Sequence, residues 1–314
     1  MRMLRYRTAA LLLPFFLLGP ALHGGLATFR WSYVTGAVAL FACYLVATCL
    51  NDVFDVEVDR ANAADRPLVT GAATSRQLLA IAAGASVVAV GMAPFAVVPV
   101  ALSLVFNVSY SAPPLRICAR PHLAAPALGL AYVALPYAVG LAAAGAEPTS
   151  LDVRVVAALV VLFTGRMLLK DFRDRSGDAA FGKRTFLLVH GKRAVIGAVL
   201  TCVLAGDALL VSVLQSAVLI AVVQTYFAAI VFELYRLCRS EDAELAAIAL
   251  GARMGNAVIL TWLGFAILPE GEGDVFVVAL AAVYWLAYLL PTPAATTAAA
   301  PARESAPAEP ARAS

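Results

Sequence analysis

Residues 31–59 read WSYVTGAVALFACYLVATCLNDVFDVEVD: an almost unbroken apolar run from Trp31, followed at once by Asn51, Asp52, Asp55, Glu57 and Asp59. The run matches the roughly 20 residues that one helix needs to cross a bilayer. It lacks the period-two alternation of a barrel strand, so it reads as a membrane helix with a polar end. In helical geometry Asn51, Asp55 and Asp59, four apart, share one face; Asp52 is one step round from Asn51, and Glu57 falls elsewhere. Stacked carboxylates at the end of such a helix repel one another, and burying them without a cation costs several kcal/mol. A hard divalent ion held by oxygen ligands would offset that cost. A solvated acidic loop accounts for this one segment equally well.

The surroundings favour a membrane setting. Of 314 residues, 62% are hydrophobic and 14% charged, with a net charge of +3 and a mean hydropathy of +0.86. This composition excludes an ordinary soluble domain and gives no sign of nucleic-acid binding. Candidate spans are Thr8–Thr28, Trp31–Asn51, Gln77–Ala93, Pro94–Ser111, Leu123–Ala144, Val153–Lys170, Ala194–Leu214, Ala217–Leu237, Ala246–Leu268 and Val275–Leu290. The expected fold is therefore all-α, a polytopic transmembrane helical bundle of about nine helices, with the last run as a tenth candidate. Residues 1–291 form one transmembrane domain, and 292–314, rich in Ala and Pro, read as a disordered tail. The basic and apolar start, with Arg2, Arg5 and Arg7, is similar to a signal peptide. It is interrupted by Pro14 and Pro20 and runs straight into another span, so a retained first helix is expected. Cys43, Cys49, Cys118, Cys202 and Cys238 have no ligand spacing and read as free thiols.

Charge distribution sets the orientation. With the N-terminus in the cytoplasm, the loops on that side hold Arg60, Arg66, Arg116, Arg120, Arg173, Arg175, Lys183 and Arg184, among others. The opposite loops hold little beyond Arg30 and Arg154, with the acids Glu270, Glu272 and Asp274. The bias places the first acidic motif on the cytoplasmic side. It places a second there too: the loop expected after the sixth span carries Asp171, Asp174 and Asp178 at offsets of three and four. Two clusters, each ending an even-numbered span on one membrane face, would form a six-carboxylate cage if they met. A diphosphate bridged by Mg2+ suits such a cage, with Mn2+ as an able substitute.

The first motif continues as Arg60-Ala61-Asn62-Ala63-Ala64-Asp65-Arg66-Pro67-Leu68-Val69-Thr70-Gly71. With the second motif and Tyr110-Ser111-Ala112-Pro113-Pro114-Leu115-Arg116 between them, the chain resembles the UbiA superfamily of intramembrane prenyltransferases over roughly Leu11 to Leu268. The family's motifs are N-D-x-x-D-x-x-x-D with D-R-P, Y-S-x-P-P-x-R, and a second D-x-x-D-x-x-x-D often followed by Gly-Lys-x-Thr. Members often carry a Lys two residues after the Arg of the middle motif; here Cys118 stands there, with Arg120 as a candidate replacement. The resemblance implies a helical bundle around a central cavity. It implies Mg2+-dependent transfer of a prenyl group from a polyprenyl diphosphate to a small-molecule acceptor, most often an aromatic or quinone precursor, with release of diphosphate. A terpene cyclase on the same fold is one alternative. A secondary transporter, from a different class, is another, although its acids would be expected at the membrane midplane.

Candidate metal ligands are Asn51, Asp52, Asp55, Asp59, Asp171, Asp174 and Asp178, with Asp52 and Asp171 either direct ligands or groups that orient water. Arg66, Arg116 and Lys183 are candidate diphosphate contacts. Asp55, Asp59, Asp174 and Asp178 carry the catalytic expectation with Tyr110, whose ring either faces an allylic cation or simply packs. Arg166 lies within the sixth span and is expected to face the bundle interior, paired with an acid of the site. His23, His122 and His190 read as isolated. Gly24, Gly25, Gly84 and Gly91 read as helix-packing positions. The partners expected are lipid, an isoprenoid diphosphate and an acceptor. The excess of arginine over lysine, with abundant alanine, points to a bacterial plasma membrane.

Overall fold

The structure, a computed structural model, describes residues 9–62, 65–240, 243–269 and 271–289. Those residues form helices and connecting turns, with no strand among them. In chain order they are α1 (Leu12–Leu22), α2 (Trp31–Phe54), α3 (Val56–Asn62), α4 (Ser75–Met92) and α5 (Val97–Ser111). There follow α6 (Ala124–Ala144, with a π-helical turn at Leu130–Ala134), α7 (Ser150–Ala180), α8 (Phe186–Val211), α9 (Ala217–Arg239), α10 (Glu244–Ile267) and α11 (Glu272–Leu289). Seven of the described helices are long and apolar enough to cross a membrane. The chain is an all-helical membrane protein.

The helix α1 sits between two halves of the bundle. Its Phe15, Leu18 and Ala21 join the core built with α6 to α11. Its Phe16, a residue away and so on another face, joins the core of α2, α4, α5 and α6. The approach of α1 to α6 is close enough to require glycine: a Cβ at Gly140 would stand 1.9 Å from the Phe16 carbonyl oxygen. The expected span Thr8–Thr28 is shorter as described. The helix has 11 residues and gives way at Gly24, where φ is +64°.

Two further expectations change here. Gly24 is a turn residue, and a Cβ at Gly84 or Gly91 would meet nothing within 4 Å, so these are not packing positions. The second acidic motif is not in a loop. α7 continues for 31 residues, about 46 Å at 1.5 Å per residue, well beyond the hydrocarbon thickness. Its C-terminal end therefore continues past the apolar run as a helix that holds Asp171, Asp174 and Asp178 in fixed register. α3, which carries Asp59, packs directly on α7. The run expected as a tenth span is helical, as α11, but α11 is not one of the seven helices long and apolar enough to cross a membrane; the expected tail lies outside the described residues.

Candidate active site

The first motif bends where its acids begin. α2 ends at Phe54, and Asp55 leaves helical geometry at φ −110°, ψ 18°. The break is slight: the Asp55 N–H still donates to Asn51 O at 2.9 Å and the Asp59 N–H to Asp55 O at 2.8 Å. Asn51, Asp55 and Asp59 thus keep their four-residue spacing across the bend. The Asn51 amide donates to Asp55 Oδ2 at 3.0 Å. Asp52, Asp55 and Asp59 are all buried, whereas Glu57 is exposed and pairs with Arg60.

Each of these buried acids meets a basic side chain from outside its own helix. Arg66 reaches Asp52 Oδ1 at 2.9 Å and Asp59 Oδ2 at 3.7 Å. Arg116 donates through Nη2 to Asp55 Oδ1 at 2.9 Å and to Phe54 O at 3.3 Å. Arg116 is the one described residue other than glycine at positive φ, 38°. That backbone is costly for a side chain with a Cβ, and the ion pair with Asp55 helps to hold it. Arg120 turns away to donate to Leu115 O at 2.8 Å. It braces its own loop, and so does not supply the cation that Cys118 lacks.

The second motif is joined to the first through the end of α7. Gly182 adopts φ +67°. Its N–H donates to Ala179 O at 3.3 Å and the Lys183 N–H donates to Asp178 O at 2.9 Å. These are the paired bonds of a Schellman turn, which glycine permits at no steric cost. The turn folds Lys183 back over the acids. Its Nζ lies 3.8 Å from Asp178 Oδ1 and 3.9 Å from Asp55 Oδ2. One ammonium therefore stands between carboxylates that are more than a hundred residues apart in sequence. Thr185 then caps α8 through the Leu188 N–H. The Gly-Lys-x-Thr signature is thus a helix stop, a cation and a helix start.

A cleft beside this junction is lined by Tyr110, Lys170, Asp171, Asp174, Asp178 and Lys183, and by apolar side chains including Met167 and Leu128. Burial pushes the Asp171 carboxyl up to about 6, with Lys170 opposing and the Asp178 and Asp174 charges adding. Burial also raises Asp178 against the pull of Lys183. For Asp174 burial is outweighed by the Arg173 hydrogen bond and the Lys170 charge, and the carboxyl sits below its usual range. Lys183 moves up: burial disfavours its charge, but Asp55 and Asp178 more than restore it.

The expected cage is not formed. Among the described residues no three His, Cys, Asp or Glu side chains converge closely enough to hold an ion by themselves. Arg66, Arg116 and Lys183 occupy the spaces between the acids. The donor set still suits Mg2+, which takes one or two carboxylates and completes its shell with water and phosphate oxygens. Asp55, Asp178 and Asp171 offer such hard oxygens around the cleft, and basic side chains beside them suit a polyanion.

Other residues depart from expectation. Lys170, 3.6 Å from Asp174 Oδ2, belongs to the cleft; its place directly before Asp171 was the available signal. His122 and His190 are not isolated but meet at 3.2 Å between their Nε2 atoms. His23 bonds to Asp152 at 3.0 Å. Arg166 has no acidic partner among the described residues; it donates to Asn256 Oδ1 at 2.9 Å.

Comparisons with known proteins give the family and the fold. The model of the UbiA prenyltransferase family matches residues 12–257. A digeranylgeranylglyceryl phosphate synthase of Natronomonas pharaonis is 31% identical over 201 residues, 56% of this chain and 67% of that protein. A homogentisate phytyltransferase of Synechocystis is 30% identical over 159 residues, 46% of this chain and 51% of the relative. The structure of a UbiA homologue from Archaeoglobus fulgidus bound to DMAPP and Mg2+ superposes with a TM-score of 0.62 at 17% identity, covering 80% of this chain and 97% of that one.

Proposed function

The chain belongs to the UbiA prenyltransferase family, and on that premise we propose that its two acidic motifs form one Mg2+-dependent site for the diphosphate of an isoprenoid donor. The observation that carries this reading is Lys183, whose ammonium lies between Asp55 of one motif and Asp178 of the other. Asn51, Asp52, Asp55, Asp59, Asp171, Asp174 and Asp178 provide the oxygen ligands and the groups that orient them. When bound, Mg2+ supplies the positive charge that lets diphosphate carry its developing negative charge as the C–O bond breaks.

The chain's own residues do the rest. Arg66, Arg116 and Lys183 are placed to exchange their carboxylate partners for phosphate oxygens, an exchange that strengthens as charge grows on the leaving group. Tyr110, in the cleft wall, presents its ring to the allylic carbon. The apolar cleft residues keep water from that carbon until the acceptor attacks. The acceptor is an electron-rich small molecule: an aromatic quinone precursor, or a glyceryl phosphate of the kind in the Natronomonas relative's name. The arginine asymmetry supports a site open to the cytoplasm, and the excess of arginine over lysine with abundant alanine supports a bacterial plasma membrane.

Incubation of the purified protein with geranylgeranyl diphosphate and a panel of both acceptor types, read by mass spectrometry, tests the proposal. A prenylated adduct with stoichiometric diphosphate is expected, abolished by EDTA and restored by Mg2+. Cyclised hydrocarbon without adduct would make the protein a terpene cyclase. Absence of diphosphate release would remove the site assignment.

A further inference from the structure

The chain has three histidines, and two of them meet. His122 stands in the turn before α6 and His190 near the start of α8, 68 residues on, yet their Nε2 atoms are 3.2 Å apart. Both rings are exposed, and both pack on Phe186, with ring centroids 5.6 Å and 4.7 Å from it. Gly191 sets His190 apart. At φ 79°, ψ 171° it breaks the helix, so Phe186–His190 is a separate turn ahead of the long run of α8. Glycine makes that break at no steric cost.

A hydrogen bond between two neutral imidazoles at the surface replaces bonds to water and contributes little. The same geometry suits a metal ion. Two ring nitrogens 3.2 Å apart, each ~2.1 Å from one ion, subtend about 100° at it, near the tetrahedral angle. Exposed rings can turn to direct both lone pairs at that point. Imidazole suits Zn2+ and Cu2+, whereas Mg2+ prefers oxygen, so this pair differs in kind from the acidic cleft. Among the described residues no third His, Cys, Asp or Glu joins it. Water would complete the shell, and a site with two protein ligands exchanges its ion, unlike a closed structural centre with four. The basic neighbours in sequence are directed elsewhere: Arg120 Nε donates to Leu115 O and Lys192 Nζ to Ser240 O.

The pair also joins two segments of the cleft wall. Pro121 and Ala124 lie on either side of His122, and Thr185 and Phe186 precede His190; all four line the acidic cleft. We propose that His122 and His190 bind Zn2+ or Cu2+ and so tie the turn before α6 to the turn that opens α8, at a site separate from the carboxylates that would take Mg2+. The site stands on the two rings and does not depend on the prenyltransferase reading.

The full chain in detergent, free of any histidine tag and held in excess Mg2+, tests it with Zn2+ and Cu2+ as probes. Calorimetric titration with Zn2+ should show a site that His122→Gln and His190→Gln each weaken by about tenfold or more. Pulsed EPR of bound Cu2+ should show the couplings of two imidazole rings in the wild type and of fewer in either variant. Both substitutions are at exposed positions, and the melting temperatures without added metal should match that of the wild type. Zn2+ held by carboxylates would be unaffected by either substitution. Zn2+ binding that either variant retains in full, no Zn2+ binding by the wild type, or a wild-type Cu2+ spectrum without two imidazoles overturns the proposal.

Discussion

Arg66 closes on two buried carboxylates at once, Asp52 and Asp59. Removing one partner of a buried pair leaves an uncompensated charge and costs about 3–5 kcal/mol. Arg66→Gln should therefore lower the melting temperature in EDTA, and Mg2+ should recover more stability in the variant than in the wild type, because a cation then has an opening beside those acids. Equal Mg2+ effects in the two proteins would separate Arg66 from the metal-binding residues. At this scale the sequence was informative about residue types and poor about pairings. Asp-Arg-Pro next to the motif marked Arg66 as a partner of the site. Nothing in the spacing told that Arg116 would reach Asp55, because that contact depends on a single left-handed backbone position in a loop.

α7 is the element on which both ends of the molecule depend. Its C-terminal end carries the second motif. At its start Thr149 and Asp152 form a capping box. Asp152 also accepts from the Tyr137 hydroxyl and bonds to His23. Burial opposes the charge on Asp152, but the Thr149, Tyr137 and His23 hydrogen bonds outweigh it and hold the carboxyl below the ordinary 3.8. A folded-state pKa below the unfolded one gives stability that is fully present above the unfolded value. That stability is lost as pH falls through the folded value. Asp152→Asn should thus cost about 2 kcal/mol near neutrality, and its melting-temperature deficit should shrink below pH 3.8. A deficit constant down into the acid range would mean that shape rather than charge matters there. The helix itself was legible only in part. The apolar run Val153–Lys170 predicted a span, yet the charged residues beyond it looked like a loop. They remain helical because α3 packs on α7 and Gly182 provides the stop, and neither is visible as hydrophobic periodicity.

For the whole molecule, length and hydropathy were enough to reach a helical membrane bundle, since lipid leaves few other ways to satisfy a backbone. They could not show that α1 would be a short wedge between two half-cores, with Phe15 on one side and Phe16 on the other. The packing of α3 on α7 brings the two acidic motifs close, and their acting as one site is the central claim. The direct measurement is a double-mutant cycle on diphosphate release, with Asp55→Asn and Asp178→Asn alone and combined, in proteins shown to be folded. The account predicts that each single variant loses turnover by orders of magnitude and that the double loses little more than the worse single, because residues that act as one unit are strongly non-additive. Losses that multiply in the double variant, or normal turnover in either folded single, would contradict it.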